Sequence, residues 1–372
     1  MTDSILIIGG GIFGVTAARA LVARDVAVTL VDPGLPHPLA ESTDISKVVR
    51  IDYGADEDYT LLGEQALERW RTWEAAPHFH ETGVTFLSRV PLAGFERDSY
   101  ELLTRRGHAL ERLDADAIAR RFPAYRRGAL VDGYFNPVGG WAAASAVVST
   151  LARGLSIRCG RVQRIVDEGA LVDGELVRAD RTIVCAGSWV PVLVPELAPV
   201  LRAVGQPVFH LRPDDPSLFA AHHFPVFGAD ISRTGYYGFP VNPDGIVKIA
   251  NHGTGTPLPA GEEHRVVSDA QESALRAMLA DTFPALATAP IVGRRLCVYC
   301  DTADGDFWIA RHPDRPALTI ATGGSGHAFK FAPMLGDLIA STSLGEPHRL
   351  AHKFRWRPEA ATGAEAARHH ER

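Results

Sequence analysis

Ser4-Ile5-Leu6-Ile7-Ile8-Gly9-Gly10-Gly11-Ile12-Phe13-Gly14 decides the fold. The first five residues are an apolar run rich in β-branched side chains, which reads as a strand buried on both faces. A helical pattern, Val15-Thr16-Ala17-Ala18-Arg19-Ala20-Leu21, follows the glycines, and Val26-Ala27-Val28-Thr29-Leu30-Val31 is a second strand ending at Asp32. Gly9 permits a tight turn out of the first strand. Gly11 lets a pyrophosphate sit against the backbone, and Gly14 lets the helix lie close to the sheet. The helix N-terminus offers free N–H groups and the positive end of its dipole to phosphates. Asp32 comes about twenty residues after the motif opens, where an acid bonds ribose hydroxyls. Strand, turn, helix, strand and acid together point to a bound dinucleotide, without separating FAD from NAD.

The rest of the chain bounds the class. Its 372 residues exceed one ordinary core and suit two domains. With 46% hydrophobic and 22% charged residues the chain is expected to be globular and soluble. A balance of 38 Lys+Arg against 44 Asp+Glu argues against a nucleic-acid partner, which would want a basic face. The most apolar stretch, Thr182 to Leu201, holds Pro191, Pro195 and Pro199 and reads as a buried strand and loop, so no membrane span is expected. Met1 to Leu21 lacks the basic opening of a signal peptide. Four cysteines (Cys159, Cys185, Cys297, Cys300) are too few for a disulfide framework, and a cytoplasmic location is the default expectation.

Apolar residues recur at helical spacing from Asp58 to Trp73, and Ala142 to Ala152 is a second predicted helix. Arg161 to Val177 reads as a hairpin turning at Asp173-Gly174. Arg181 to Trp189 is a buried strand ending in a glycine turn. Residues 205–290 are strand-rich and punctuated by proline. Leu318 to Thr322 is a final core strand, followed by the loop Gly323-Gly324-Ser325-Gly326-His327 and a helix from Ala328 to Ser343. The expected class is α/β: a Rossmann-like FAD-binding domain with an inserted, mainly antiparallel-sheet substrate domain. Residues 1–82, 141–204 and 300–350 are assigned to the first, 83–140 and 205–299 to the second, and 351–372 to a tail. That tail is Ala/Glu/His-rich from Pro358 and expected to be disordered.

The N-terminal fingerprint, the Asp301 to Pro313 region and Ser325-Gly326-His327-Ala328-Phe329-Lys330 together resemble the D-amino-acid-oxidase superfamily. Within it the resemblance is to the group of monomeric sarcosine oxidase, N-methyltryptophan oxidase, pipecolate (saccharopine) oxidase and fructosyl-amino-acid oxidases, over roughly residues 4–345. It implies FAD as cofactor, oxidation of a C–N bond, and O2 as acceptor with release of imine and hydrogen peroxide. It also implies a monomer acting on a small amino-acid-like substrate. Cys297, in Arg294-Arg295-Leu296-Cys297-Val298-Tyr299-Cys300, matches the cysteine that bonds the flavin 8α-methyl. Lys248, in Gly245-Ile246-Val247-Lys248-Ile249-Ala250-Asn251-His252, matches the oxygen-activating lysine. His252 and Tyr237 match an active-site histidine and tyrosine. Arg50 and Lys330 match the cations that hold the substrate carboxylate, and Gly324 and Gly326 belong to the cofactor-binding loop. Lys47 stands where the sarcosine-oxidase pattern has arginine; lysine there is more like the fructosyl-amino-acid and saccharopine-type oxidases.

Read physically, several of these positions keep alternatives. Cys297 and Cys300 form a CxxC, open to a flavin link with Arg294 and Arg295 lowering the thiol pKa, to inert buried thiols, or to zinc or dithiol chemistry. No second CxxC exists, and no metal site is assigned. Lys248 is either an outward-facing strand lysine or a cation beside the flavin ring, where a fixed charge favours the first electron's transfer to oxygen. Lys330 lies near a predicted helix start, where a cation opposes the dipole unless an anion joins it. Arg50 reads equally as a surface arginine, and His252 as a satisfied core histidine. Among functions, an oxidase of a carboxylate-bearing secondary amine leads. A fructosyl-amino-acid oxidase, a flavin monooxygenase and a flavin-binding electron-transfer subunit are the rivals.

Overall fold

The three isoleucines and one leucine of Ile5 to Ile8 are buried, and their strand, Ser4–Ile8, lies inside a six-stranded sheet. It pairs in parallel with Ala27–Asp32 on one side and Arg181–Val184 on the other. Ile157–Cys159 extends the sheet in parallel beyond Ala27–Asp32, and Leu318–Thr322 beyond Arg181–Val184. Trp308–Arg311 closes that edge antiparallel. The helix Ile12–Val22 connects the first two strands and packs against the helix Ala332–Leu344. The computed structural model describes residues 4–359, 363 and 367–369. No helix among the described residues is long and apolar enough to cross a membrane.

A second sheet of nine strands runs in the order Thr256–Leu258, Leu201–Leu211, Val247–Asn251, Tyr236–Gly238, Val226–Ala229, Val84–Ser88, Asp132–Asn136, Glu111–Asp114, with Ile291–Thr302 also paired to Leu201–Leu211. Every pair in it is antiparallel except Val226–Ala229 with Val84–Ser88. The class is therefore α/β, a parallel nucleotide sheet beside a mainly antiparallel one. A short three-stranded sheet pairs Lys47–Val49 and Phe79–His80 with Gly140–Ala142 between them.

Local differences from the expectations have local causes. The helix expected from Asp58 to Trp73 runs Glu57–Trp70, and the Asp56 carboxylate accepts from the Tyr59 N–H and caps its start. The expected hairpin is a three-stranded meander, Val162–Val166, Gly169–Val172 and Glu175–Arg178, with the second turn at Asp173 and Gly174. Pro333 sits in the first turn of Ala332–Leu344, so the preceding Ala328–Phe331 forms a tighter 3-10 turn rather than helix. Lys330 thus stands on that turn. A helix not expected from the sequence, Asp269–Thr282, is set by a capping box between Ser268 and Gln271.

The segment expected as a tail is packed where it is described. Phe354 is fully buried, Lys353 pairs with Asp56 at 2.9 Å, and Arg357 pairs with Asp304 at 2.6 Å. Ala367 and Arg368 are also buried. The remainder of that expectation lies outside the described residues.

Candidate active site

A cavity of about 470 Å3 opens along the carboxyl ends of the parallel strands, the place where open α/β sheets bind ligands. Gly9, Gly11 and Asp32 line one end of it; Lys47, Gly324, Gly326 and Phe329 line the other. Gly9 turns with φ 102°, and a Cβ there would lie 2.6 Å from the Cys185 carbonyl oxygen. Gly14 does not line the cavity: a Cβ on it would stand 1.8 Å from the Gly9 carbonyl oxygen. Its role is the close approach of helix to strand. Asp32 accepts from the N–H groups of Gly10 (2.7 Å) and Gly34 (2.9 Å). Burial nevertheless raises its pKa, against the pull of those two donors.

The same cavity carries an acid that the sequence pattern did not signal. Glu41 lines it between the two ends, facing Gly187 and Gly324. Its Oε1 is buried without a hydrogen-bond partner among the described residues. Burial pushes its pKa up to about 7, with Lys47 and Arg265 opposing. A buried carboxyl with one oxygen left unpartnered among the described residues, in a glycine-lined trough, suits a ligand rich in hydroxyls. The residues present therefore fit a flavin dinucleotide.

A smaller cavity, about 60 Å3, adjoins the first through Lys47, Tyr299, Gly326, His327 and Phe329, which line both. It is also lined by Arg50, Tyr237, His252 and Lys330. The fold thus brings five of the predicted substrate-side residues together from segments far apart in the chain. The Lys330 ammonium donates to the Tyr53 hydroxyl and the His327 carbonyl, both at 2.9 Å. Tyr53 in turn meets His327 Nδ1 at 3.0 Å. Arg50 is buried, its guanidinium 4.7 Å above the Tyr53 ring and 5.8 Å from that of Phe86. Tyr53 therefore joins the two cations. No fingerprint reaches it, although it lies only three residues from Arg50.

Lys248 lines neither cavity. It is 1% exposed, and its ammonium donates to Asp44 Oδ2 and to the Ser46 carbonyl, both at 2.6 Å, over the Phe239 ring at 4.7 Å. Burial pulls its pKa down to about 8, outweighing the attraction of Asp44. Burial works to raise Asp44, yet Lys248, His210, Lys47 and Arg295 hold it well below the usual carboxylate range. Lys47 connects this pair to the cavities, 4.0 Å from Asp44 Oδ2 and 3.7 Å from Cys297 Sγ. Burial lowers the Lys47 pKa, but Cys297, Asp44 and Tyr237 raise it by more.

Cys297 and Cys300 lie on one strand, Ile291–Thr302, three residues apart, so their side chains point to opposite faces. Cys297 packs with Val208, Ala250 and Tyr299; Cys300 packs into the nucleotide-sheet core and borders the large cavity. Dithiol or shared-zinc chemistry is excluded by that geometry. The cation on Cys297 is Lys47 rather than the arginines before it: Arg294 pairs with Glu272 at 2.7 Å, and Arg295 hydrogen-bonds the Thr43 and Ala40 carbonyls. Burial pushes the Cys300 thiol up to about 12.

The family described as FAD dependent oxidoreductase matches residues 4–342. N-methyl-L-tryptophan oxidase of Salmonella typhi is 29% identical over an alignment of 376 residues, covering 93% of this chain and 96% of the relative. The same enzyme of Salmonella newport (strain SL254) gives the same figures. Among solved structures, fructosamine oxidase (Amadoriase II) of Aspergillus fumigatus superposes with a TM-score of 0.86 at 24% identity, over 100% of this chain and 94% of that one. Fructosyl peptide oxidase of E. terrenum gives 0.84 at 23%, over 98% and 93%. These structural likenesses speak for the fold.

Proposed function

The chain belongs to the FAD dependent oxidoreductase family, and from that premise we propose that it oxidises the C–N bond of a secondary-amine amino acid. The substrate loses a hydride from carbon and a proton from nitrogen and leaves as an imine. The two electrons and two protons reach O2 and leave as hydrogen peroxide. FAD, when bound, supplies the two-electron acceptor between them.

The observation that carries this reading is the placement of Arg50 and Lys330. Both are buried, both line the small cavity, and they come from opposite ends of the chain. A planar guanidinium and an ammonium around a small chamber suit a carboxylate. Holding that carboxylate orients the α-carbon toward the adjoining cavity. His252 and Tyr237 complete the walls on the amine side. Lys248 has three N–H donors and gives two to Asp44 and Ser46. Its fixed charge, coupled to that of the cavity-lining Lys47, favours an anion formed in the dry site.

Covalent flavin attachment at Cys297 belongs to the same proposal. A nucleophilic thiolate needs a neighbouring cation, and Lys47 supplies one at 3.7 Å. Cys300, pushed up to about 12, stays a thiol at neutral pH. A cytoplasmic monomer is part of the same reading. The test is anaerobic bleaching of the bound flavin by N-methyl, N-carboxyalkyl, cyclic and fructosyl amino acids, followed by peroxide assay on admitting air. Bleaching with peroxide supports the proposal. Bleaching without peroxide points to an electron-transfer subunit, and no bleaching by any of them overturns it. Bleaching by the fructosyl compounds alone would favour the alternative of a fructosyl-amino-acid oxidase, which Lys47 and the structural neighbours support.

A further inference from the structure

The large cavity follows the order of the strands beneath it. Across the parallel sheet, Ala27–Asp32, Ser4–Ile8, Arg181–Val184 and Leu318–Thr322 are successive neighbours. Their carboxyl ends lead, in that order, to the cavity-lining residues Asp32, Gly9 and Gly11, Gly187, and Gly324. Glu41 faces the last two. A Cβ on Gly187 would stand 3.3 Å from its Oε1, and one on Gly324 would stand 3.8 Å from its Oε2. The cavity therefore has an acid on either side of the turn at Gly9 to Gly11: Asp32 at the end of the first strand, Glu41 beside the third and fourth.

A pyrophosphate is drawn to that turn, where the helix Ile12–Val22 begins, and a dinucleotide carries a sugar on each side of its pyrophosphate. With the adenosine ribose on Asp32, the second sugar lies toward Gly187 and Gly324. In FAD it is the ribityl chain, an open polyol whose hydroxyls can donate. Glu41 Oε1 is buried there without a hydrogen-bond partner among the described residues, a costly state for a carboxyl oxygen. Lys47 and Tyr299 line this cavity and the small one alike, which puts the ring end of the cofactor on the substrate side.

We propose that Glu41 is a second sugar-binding acid of the cofactor site, accepting from the ribityl hydroxyls as Asp32 does from the adenosine ribose. The assignment rests on the flavin-dinucleotide reading of the cavity. The charged groups facing Glu41 are Lys47 and Arg265, which favour its carboxylate, and Asp301, which opposes it. Burial brings its pKa to about 7. A hydroxyl donor favours the carboxylate, so FAD should bind more tightly as pH rises through that value.

The test uses the full-length chain carrying Cys297→Ser, so that no covalent link retains the flavin, produced flavin-free in riboflavin-starved cells. Calorimetric titration with FAD and with ADP at pH 6 and pH 8 is compared with the same chain carrying in addition Glu41→Gln or Asp32→Asn. ADP lacks the ribityl chain. Asp32 and His37, which lie together, act on FAD and ADP alike, so the ADP titration removes their share of any pH effect. FAD affinity should rise by up to about tenfold between pH 6 and pH 8, the range open to one group titrating at about 7. Glu41→Gln should abolish that rise, weaken FAD at pH 8 by about tenfold or more, and leave ADP unchanged. Asp32→Asn should weaken both ligands. If the flavin-free chain does not fold, the rate at which FAD leaves the flavin-loaded Cys297→Ser chain, read by fluorescence, decides: release should be faster at pH 6 than at pH 8, and Glu41→Gln should remove the difference. FAD binding and release indifferent to Glu41→Gln would overturn the proposal, as would an equal loss for ADP, which would make Glu41 a residue of the fold. Failure of the unsubstituted site to bind either ligand would overturn the dinucleotide reading itself.

Discussion

Asp44→Asn isolates the pair beneath the site. Removing one member of a buried ion pair usually costs about 3–5 kcal/mol, because the other charge is stranded. Lys248 has an escape: its pKa is already pulled down to about 8. At pH 7 it needs only about one pH unit of free energy, about 1.4 kcal/mol, to shed its proton. That caps its share of the loss, so Asp44→Asn should destabilise the protein by about 2 kcal/mol rather than by the full range. The functional consequence is larger. With Lys248 neutral at pH 7, reoxidation of the reduced flavin should slow by about two decades, the effect expected of Lys248→Met, since one preorganised charge is lost either way. Adding Lys248→Met to Asp44→Asn should then change little. Urea melts give the stability and stopped-flow mixing with oxygen gives the rate. A loss above about 4 kcal/mol would mean that Lys248 stays charged. An unchanged oxygen reaction at pH 7 would mean that the charge does not serve oxygen.

The same lysine predicts a pH dependence of stability. Between about pH 8 and 10.5 the unfolded chain keeps this proton and the folded one has lost it, so stability from this group rises with pH; the rise of about 3 kcal/mol should vanish in Lys248→Met melts across that window. Acid denaturation followed by mass spectrometry should find FAD on the wild-type polypeptide and on Cys300→Ser but not on Cys297→Ser; free FAD from the wild type refutes the link. Gly14→Ala places a Cβ 1.8 Å from the Gly9 carbonyl, so helix and strand must part, and flavin content after purification should fall sharply with a lower Tm; normal flavin loading would show that the turn has slack.

What was legible in the sequence was local or patterned. The fingerprint could be read because each glycine has a steric duty within a few residues of the next. The placement of Gly326 is similar in kind, since a Cβ there would stand 2.3 Å from the Tyr299 ring. Arg50, Tyr237, His252, Lys330 and Lys47 came from resemblance, and the fold brings them to one chamber. Asp44 and Glu41 escaped because they lie in the irregular stretch between Asp32 and Lys47, where no period marks a buried side chain. Their importance appears only when Lys248, 204 residues away from Asp44, closes on it. The composition from Pro358 onward resembles a loose end, and polar content alone could not reveal that Arg368 finds Asp301. The capping box at Ser268 and Gln271 was readable in principle, since serine three residues before glutamine is a local helix signal.

The central claim is that this enzyme acts on an amine whose carboxylate is held by Arg50 and Lys330. The most direct measurement compares kcat/KM for the best N-substituted amino acid with that of the same amine lacking its carboxyl group. Charge-assisted pairs are worth about 1.5–3 kcal/mol each, so the decarboxylated amine should lose about 10- to 100-fold per lost pair. For the amino acid, the rate should rise with pH through the pKa of the bound amine, because only the neutral amine gives up hydride. Equal efficiency for the two compounds would contradict the claim: Arg50 and Lys330 would then serve the flavin or the fold, and the substrate would not be an amino acid.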